Sequence, residues 1–461
     1  MKTIFKPLVG LLLSSVAFFS SAEQFQLPEY QKVTLDNGLT LYLMEQHEVP
    51  LIEVKVQLKA GAINNNKAGL ANLTAETLML GTQQTPKSEL DAQLDFIGAN
   101  MNSSAGLESS ALSASFVNKD ADKVLELLKQ VLTAPAFDNE EFDKFKQRYL
   151  SQLDEKRQSP KAVIYDYFNQ LLYRNHPYAS IQDGDKHSIE SINLADVKNF
   201  YQQFYTPDNA ALIVVGDFDS DKMLSKLKIL LKDWQGKTTK PLMLTGIDPA
   251  QQANVLLVNK ADAIESTFVI GGPGIKRSNP DYVELTVLNT ILGGRFTSWL
   301  NDALRVNAGL TYGARSSFSA NKYAGSFSIY TFTKTATTEQ AIDLALSTYQ
   351  KLWEPGIDIQ TLESAKAYVK GQFPPKYETS AELADLLGNM FIYDFDQQFI
   401  NQFNQRVSKL DVERANQLVK RYFPRDNLQF VVVGKAAEIK SKLEKYGKVY
   451  QTDIDKAEVS F

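Results

Sequence analysis

The first clear rhythm along the chain is a period of two. In KVTLDNGLTLYLME (residues 32–45) and LIEVKVQLKAG (residues 51–61) apolar and polar positions alternate, as in strands with one buried face. The two segments are expected to pair as antiparallel strands. At residue 68 the period lengthens. Residues 68–80 and 88–97 carry apolar side chains at helical spacing, which predicts two helices. LSASFVNKD (112–120) returns to alternation and predicts a strand. DADKVLELLKQVLTAP (120–135) and the charged EEFDKFKQRYLSQLDEKRQ (140–158) predict two more helices.

A similar plan follows in the second half. VLLVNK (255–260) and STFVIGG (266–272) predict strands, followed by a helix from Pro280, strands near 311–332 and a helix over 337–353. One pair of segments comes close to a copy: FYTPDNAALIVVGDF (204–218) and YFPRDNLQFVVVGKA (422–436). Each follows an amphipathic helix (ADVKNFYQQF and VERANQLVKR) and runs from a Pro- and Asn-containing turn into an apolar strand ended by Gly. Asn209 to Asn427 and Gly216 to Gly434 give the same offset, 218 residues. The shared punctuation, in a shared order, points to duplication. The predicted fold is α+β, in two homologous halves of about 200 residues each. Each half is an antiparallel sheet covered by helices. The halves span residues 23–235 and 253–461. The linker, 236–252, lies in WQGKTTKPLMLTGIDPAQQ (234–252), which shows no clear period.

Composition narrows the function classes. Of 461 residues, 44% are hydrophobic and 22% charged, an ordinary globular balance that allows a large core. The net charge of −5 argues against nucleic acid or an anionic membrane surface as the main partner. The N-terminus has the layout of an export signal: Lys2 and Lys6, an uncharged apolar run over Leu8–Phe19, then Ser20-Ser21-Ala22 as a cleavage site before Glu23. The run is short for a membrane span, and no Cys follows it to carry a lipid. Residues 1–22 are therefore expected to be a signal peptide, and the mature chain to be periplasmic, without a membrane span. Loss of Lys2 and Lys6 takes the charge from −5 to −7. The absence of Cys excludes thiolate zinc sites and Cys nucleophiles.

Candidate chemistry starts in GLANLTAETLMLGT (69–82). Asn72 and Glu76 lie four residues apart, one helical turn on one face, the spacing with which a helix offers two ligands to a metal. The pair does not make a zinc site: Asn72 is a weak, neutral donor and Glu76 a single carboxylate, where zinc takes imidazole, thiolate or carboxylate and, for hydrolysis, three protein ligands plus an open position. Ala75, between them, cannot take a proton. The three His residues, His47, His176 and His187, form no helical pair, and His176 in NHPY is expected to hydrogen-bond locally.

The order strand, strand, G-L-A-helix, then R-N-H-P-Y (174–178) and the P-D-N strand, resembles the insulinase/pitrilysin family of zinc peptidases, including the mitochondrial processing peptidases, over nearly the whole mature chain. In that family the helix after G-L-A carries H-x-x-E-H, with two His ligands and a Glu that activates water. The resemblance places Asn72 at the first His, Ala75 at the Glu and Glu76 at the second His, with Gly81-Thr82 keeping the register. The distal acidic ligand would fall within QRYLSQ (147–152), where Gln147 and Gln152 are the nearest substitutes. The family's other signature, G-G-x-F-x-S, L-R and G-L-x-Y, matches GGRFTSWLNDALRVNAGLTYGARSSFSA (293–320), with Trp299 where the family often has Arg. It implies a substrate clamp made of Arg305 and Tyr312, seven residues apart. An Arg fork suits peptide carbonyls, and a Tyr hydroxyl can donate to an oxyanion. Taken alone, Arg305 would be expected to pair with Asp302 and Tyr312 to pack in a strand. Gly309 and Gly313 are expected to permit close backbone approach.

The resemblance thus implies a clamshell that keeps the Arg/Tyr half and holds no metal itself. It implies a non-catalytic subunit of a heterodimeric zinc metalloendopeptidase, inactive alone. Zinc is expected in a homologous partner subunit and peptides are expected as substrates, added as a strand to a sheet edge. The alternative is a pseudoenzyme that binds peptides or acts as a scaffold without a peptidase partner. An active single-chain peptidase with rebuilt ligands ranks last.

Overall fold

A strand that is apolar along its whole length needs neighbours on both sides, and AALIVVG (210–216) is such a strand. The computed structural model describes residues 25–238, 244–248, 250–459 and 461. The expected signal peptide, residues 1–22, and part of the expected linker, residues 239–243 and 249, lie outside the described residues.

The first sheet contains β1 (Gln31–Thr34), β2 (Thr40–Glu45), β3 (Leu51–Leu58), β4 (Asn100–Ala105), β5 (Ser110–Val117) and β6 (Ala210–Gly216), in the order β1-β2-β6-β3-β5-β4. This corrects the expected pairing of β2 with β3. The fully buried β6 lies between them, parallel to β2 and antiparallel to β3. Residues 32–45 instead form their own hairpin, β1 with β2, which turns at Asn37-Gly38 with Gly38 at φ +93°. β4 is a strand that the periodicity left unassigned. Its apolar face is made of Met101, Ser103 and Ala105, too small and polar to stand out.

The second sheet contains β7 (Asn254–Asn259), β8 (Glu265–Pro273), β9 (Arg315–Ala320), β10 (Gly325–Lys334), β11 (Gln429–Gly434) and β12 (Lys448–Asp453), in the order β12-β7-β11-β8-β10-β9. The copied segments, β6 and β11, occupy the same third place in the two sheets. In both they separate the strands of the first pair, and in both they run parallel to the first strand of that pair. The outer strands differ: β1 arrives antiparallel from the N-terminal side, and β12 arrives parallel from the C-terminal side.

Each sheet buries both faces. On one face of the first sheet, Leu41, Leu43, Val54, Val56, Leu112 and Val214 pack under the helices of the first half. Tyr42, Met44, Ala211, Ile213 and Val215 point the other way, into the core of the second half. The helix Ser380–Tyr393 covers that face, against β3 and β6. The reciprocal helix, Pro160–Tyr173, crosses to the second sheet, and Val163, Ile164, Phe168 and Leu171 pack on Val258, Val269 and Val431. The halves therefore exchange a helix each. Ion pairs from Lys55 to Asp385 (2.5 Å) and from Lys59 to Asp394 (3.4 Å) pin the visiting helix to β3.

The turns β4–β5 and β9–β10 meet where the halves join. Glu108 in the first turn is buried. Its carboxylate accepts the backbone N–H of Lys322 in the second turn (3.0 and 3.1 Å), the Tyr178 hydroxyl and a bond from Tyr393. Burial pushes this carboxyl above its usual range, while the Tyr178 and Lys322 hydrogen bonds work against the shift. Among the described residues, no helix is long and apolar enough to cross a membrane.

Candidate functional site

The helix Leu70–Thr77 starts at Gly69, which has φ +85°. A Cβ at Gly69 would meet the Asp183 carbonyl oxygen at 2.8 Å and Gly184 at 3.0 Å, so a glycine here lets the loop 183–184 touch the start of the helix. Leu70, Leu73, Thr74 and Thr77 face the core, and Ala75 is fully buried. Asn72 and Glu76 share the remaining, partly buried face.

The polar groups of Asn72 on that face are engaged from within this chain. Asn72 Nδ2 donates to Tyr149 Oη (2.8 Å), and Asn72 Oδ1 accepts the backbone N–H of Ala105 at the end of β4 (3.4 Å). Tyr149 Oη in turn donates to the Asp183 carbonyl (2.9 Å). Gln182 Nε2 donates to the Ala105 carbonyl (3.0 Å), so both backbone groups of Ala105 are engaged. The Asp183 carboxylate holds Lys156 Nζ at 2.9 Å, which also reaches Asp166 at 3.1 Å. Burial pushes the Tyr149 hydroxyl well above its ordinary value, so it is a neutral donor. Burial, and then the nearby Asp183 charge, pushes the Glu76 carboxyl up.

Tyr149, and not a glutamine, is the residue of the helix Asn139–Arg157 that reaches Asn72. Gln147 and Gln152 are exposed, which corrects their expected place at the distal position. The buried stripe of this helix is Phe142, Tyr149 and Leu153. Its spacing of seven and four was visible in the sequence and leaves both glutamines off the inward face.

The residues around Asn72 do not fit a zinc ion. The set is a neutral amide already engaged by a phenol, a methyl group and one carboxylate, where zinc requires three basic ligands. Among the described residues, no group of three or more His, Cys, Asp or Glu is arranged to hold a metal. The histidines lie apart. His47 is exposed between Asp217 (2.7 Å) and Glu45 (3.1 Å). His176 Nδ1 accepts the Tyr178 backbone N–H (3.1 Å), the local role expected for it. His187 is an exposed residue of the short helix Lys186–Ser191.

The second candidate region is built in the opposite way. Residues 302–307 form a π-helical turn, a distortion often found at functional sites, and Arg305 projects from it into solvent. Arg305 is not paired with Asp302, contrary to the expectation from residue types alone. Asp302 accepts from Asn307 Nδ2 (3.1 Å), and the Arg305 guanidinium lies 4.7 Å from the ring centroid of the exposed Phe296. Among the described residues, Arg305 has no ion pair. Tyr312 is 81% exposed, with its ring tilted against that of Phe332 at a centroid separation of 6.5 Å. The loop beneath is fixed: Thr331 Oγ1 donates to the Gly313 carbonyl (2.9 Å), Thr333 Oγ1 to the Leu310 carbonyl (2.7 Å), and Asn301 Nδ2 to the Phe296 carbonyl (2.7 Å).

The expected close approach at Gly309 and Gly313 is also corrected. Gly309 has open space around it and is needed for its left-handed φ of +61°, and Gly313 has no neighbour nearer than 3.9 Å. The tight approach is at Gly293, where a Cβ would lie 2.2 Å from the Ser316 nitrogen. Trp299 packs partly buried against the core of the second half.

Two family models match along the chain: "Insulinase (Peptidase family M16)" over residues 42–184 and "Peptidase M16 inactive domain" over residues 191–369. A short match to "Mother cell inhibitor of FtsZ", residues 423–455, falls on β11 and β12. The chain is 26% identical to the "Non-peptidase homolog YmxG" of Helicobacter pylori over 395 residues, 84% of this chain and 90% of that one. It is 25% identical to the "Zinc protease PqqE" of the same organism over 436 residues, 91% of this chain and 96% of that one. The crystal structure of a peptidase M16 inactive domain from Pseudomonas fluorescens superposes with a TM-score of 0.83 at 23% identity, covering 88% of this chain and 98% of the other.

Proposed function

The chain belongs to the insulinase (M16) peptidase family, and on that premise we propose that it is the non-catalytic subunit of a two-subunit, periplasmic zinc metalloendopeptidase. In this reading Arg305 and Tyr312 reach into the active site of a zinc-bearing homologous partner. There the guanidinium holds a substrate carbonyl, and the phenol donates to the oxyanion formed when the partner's water attacks. Zinc, in the partner, supplies the activated water.

The observation that carries this reading is the contrast between an Arg/Tyr pair left exposed on a fixed loop and a helix face with no ligand set for a metal. Two relatives of similar length from one organism, one named a non-peptidase homolog and the other a zinc protease, support a division of labour between paired chains. The test is co-purification of the tagged chain from native periplasm. A homologue with H-x-x-E-H in about equal amount, giving a complex active only when both chains are present, supports the reading. Recovery of the chain alone, or with unrelated proteins, overturns it.

The second reading is a peptide-binding or scaffold protein without a peptidase partner. The name of the non-peptidase relative favours it, and it predicts that peptides bind the isolated chain while Arg305→Ala changes no hydrolysis.

A further inference from the structure

The face of the helix Leu70–Thr77 is more than a site from which ligands have been lost. A simple loss would leave polar groups open to solvent. Here the Asn72 amide, the Tyr149 hydroxyl and the Asp183 carbonyl form a closed relay of 2.8 and 2.9 Å, with the N–H of Ala105 bonded to the other end of the amide. Four separate pieces of chain meet in it: the helix Leu70–Thr77, the helix Asn139–Arg157, the end of β4 and the loop at 183. A structural metal ties such pieces together in the same manner.

We propose that Tyr149 has replaced the metal as the tie, and that it now stands in the way of one. A glutamate ends short of a tyrosine hydroxyl by roughly the length of a zinc–oxygen bond, about 2 Å. A phenol at position 149 therefore spans on its own the distance that a carboxylate and an ion would span together. The hydroxyl accepts from Asn72 Nδ2 and donates to the Asp183 carbonyl, and these two hydrogen bonds fix it in place. Restoring imidazoles at positions 72 and 76 should leave them facing a phenol. This inference rests on the placing of Asn72 and Glu76 at the ligand positions of the motif, and it is independent of whether a partner subunit exists.

The experiment measures zinc retained by the purified full-length mature chain after dialysis, using zinc chloride as the probe. The variants are Asn72→His/Glu76→His, and the same pair with Tyr149→Glu. The double variant is expected to keep no stoichiometric zinc, and the triple variant to bind about one ion, at least about tenfold more tightly. Stoichiometric zinc in the double variant, or none in a folded triple variant, overturns the proposal. Because the triple variant could fail to fold, Tyr149→Phe tests the tie separately. It should lower Tm by on the order of 2 °C, from the loss of two partly buried hydrogen bonds. An unchanged Tm would show that the hydroxyl ties nothing.

Discussion

The helix face at Asn72 and the turn at Arg305 are two polar sites in one chain, and they treat their polar groups in opposite ways. At Asn72 the partners come from within the chain, through Tyr149 and Ala105. At Arg305 the loop is held from below by Thr331, Thr333 and Asn301, while Arg305 and Tyr312 themselves are left in solvent. Hydrogen bonds satisfied internally contribute to stability and leave little for a ligand. Exposed, unpaired groups on a fixed backbone contribute little to stability and keep their capacity for one. One site has turned inward to hold the fold, and the other faces outward.

The largest effect should come from the outward site. With a zinc-bearing partner present, Arg305→Ala is expected to lower turnover by about 100-fold, the scale of losing one preorganised donor, with Tm unchanged. Full activity in the variant complex would remove Arg305 from the clamp. The junction of the halves should respond next. Glu108→Ala leaves the Lys322 N–H and the Tyr178 hydroxyl without their acceptor and should cost about 2 kcal/mol in urea unfolding. A loss no greater than at an exposed glutamate would show that this contact does not tie the halves. A smaller effect is expected at the inward site: Asn72→Ala should cost about 1 kcal/mol. Tyr312→Ala should then stay within about 0.5 kcal/mol of the parent, and equal losses at the two positions would erase the distinction between the sites.

The smallest effect is a pH dependence at Glu76. Its carboxyl is pushed up in the folded chain, first by burial and then by Asp183. The folded state therefore holds that proton more tightly than the unfolded state does. Its contribution to stability falls as pH rises from the unfolded value through the folded one, and stays lowered above it. Glu76→Gln should thus raise Tm slightly at neutral pH, and the gain should vanish in acid below the ordinary glutamate range. A gain that persists in acid would have another origin.

Much of this was legible in the chain itself. Alternation and helical spacing located β3, β5, β7 and β8 and the helices at 87–97, 121–133 and 139–157. The copied PDN–strand segments, 218 residues apart, announced the duplication, and the two copies take the same place in both sheets. The residue types at positions 72, 75 and 76 excluded an ordinary zinc site, because ligand chemistry is a property of side chains and needs no coordinates. Tertiary structure decided what depends on distance. The apolar run of β6 marks a strand with neighbours on both sides, but that those neighbours are β2 and β3 is set by long-range pairing, which local sequence does not encode. The exchanged helices Pro160–Tyr173 and Ser380–Tyr393 carry local marks, a Ser-Pro start and a Thr379/Glu382 capping box. No local rule, however, says which sheet a helix will cover. Tyr149 lay on a readable stripe, yet its bond to Asn72 joins residues 77 positions apart. The exposure of Arg305, beside an Asp302 that bonds elsewhere, was likewise settled by packing. Sequence fixes chemistry and local period, and only the closed chain determines which groups find each other and which are left facing water.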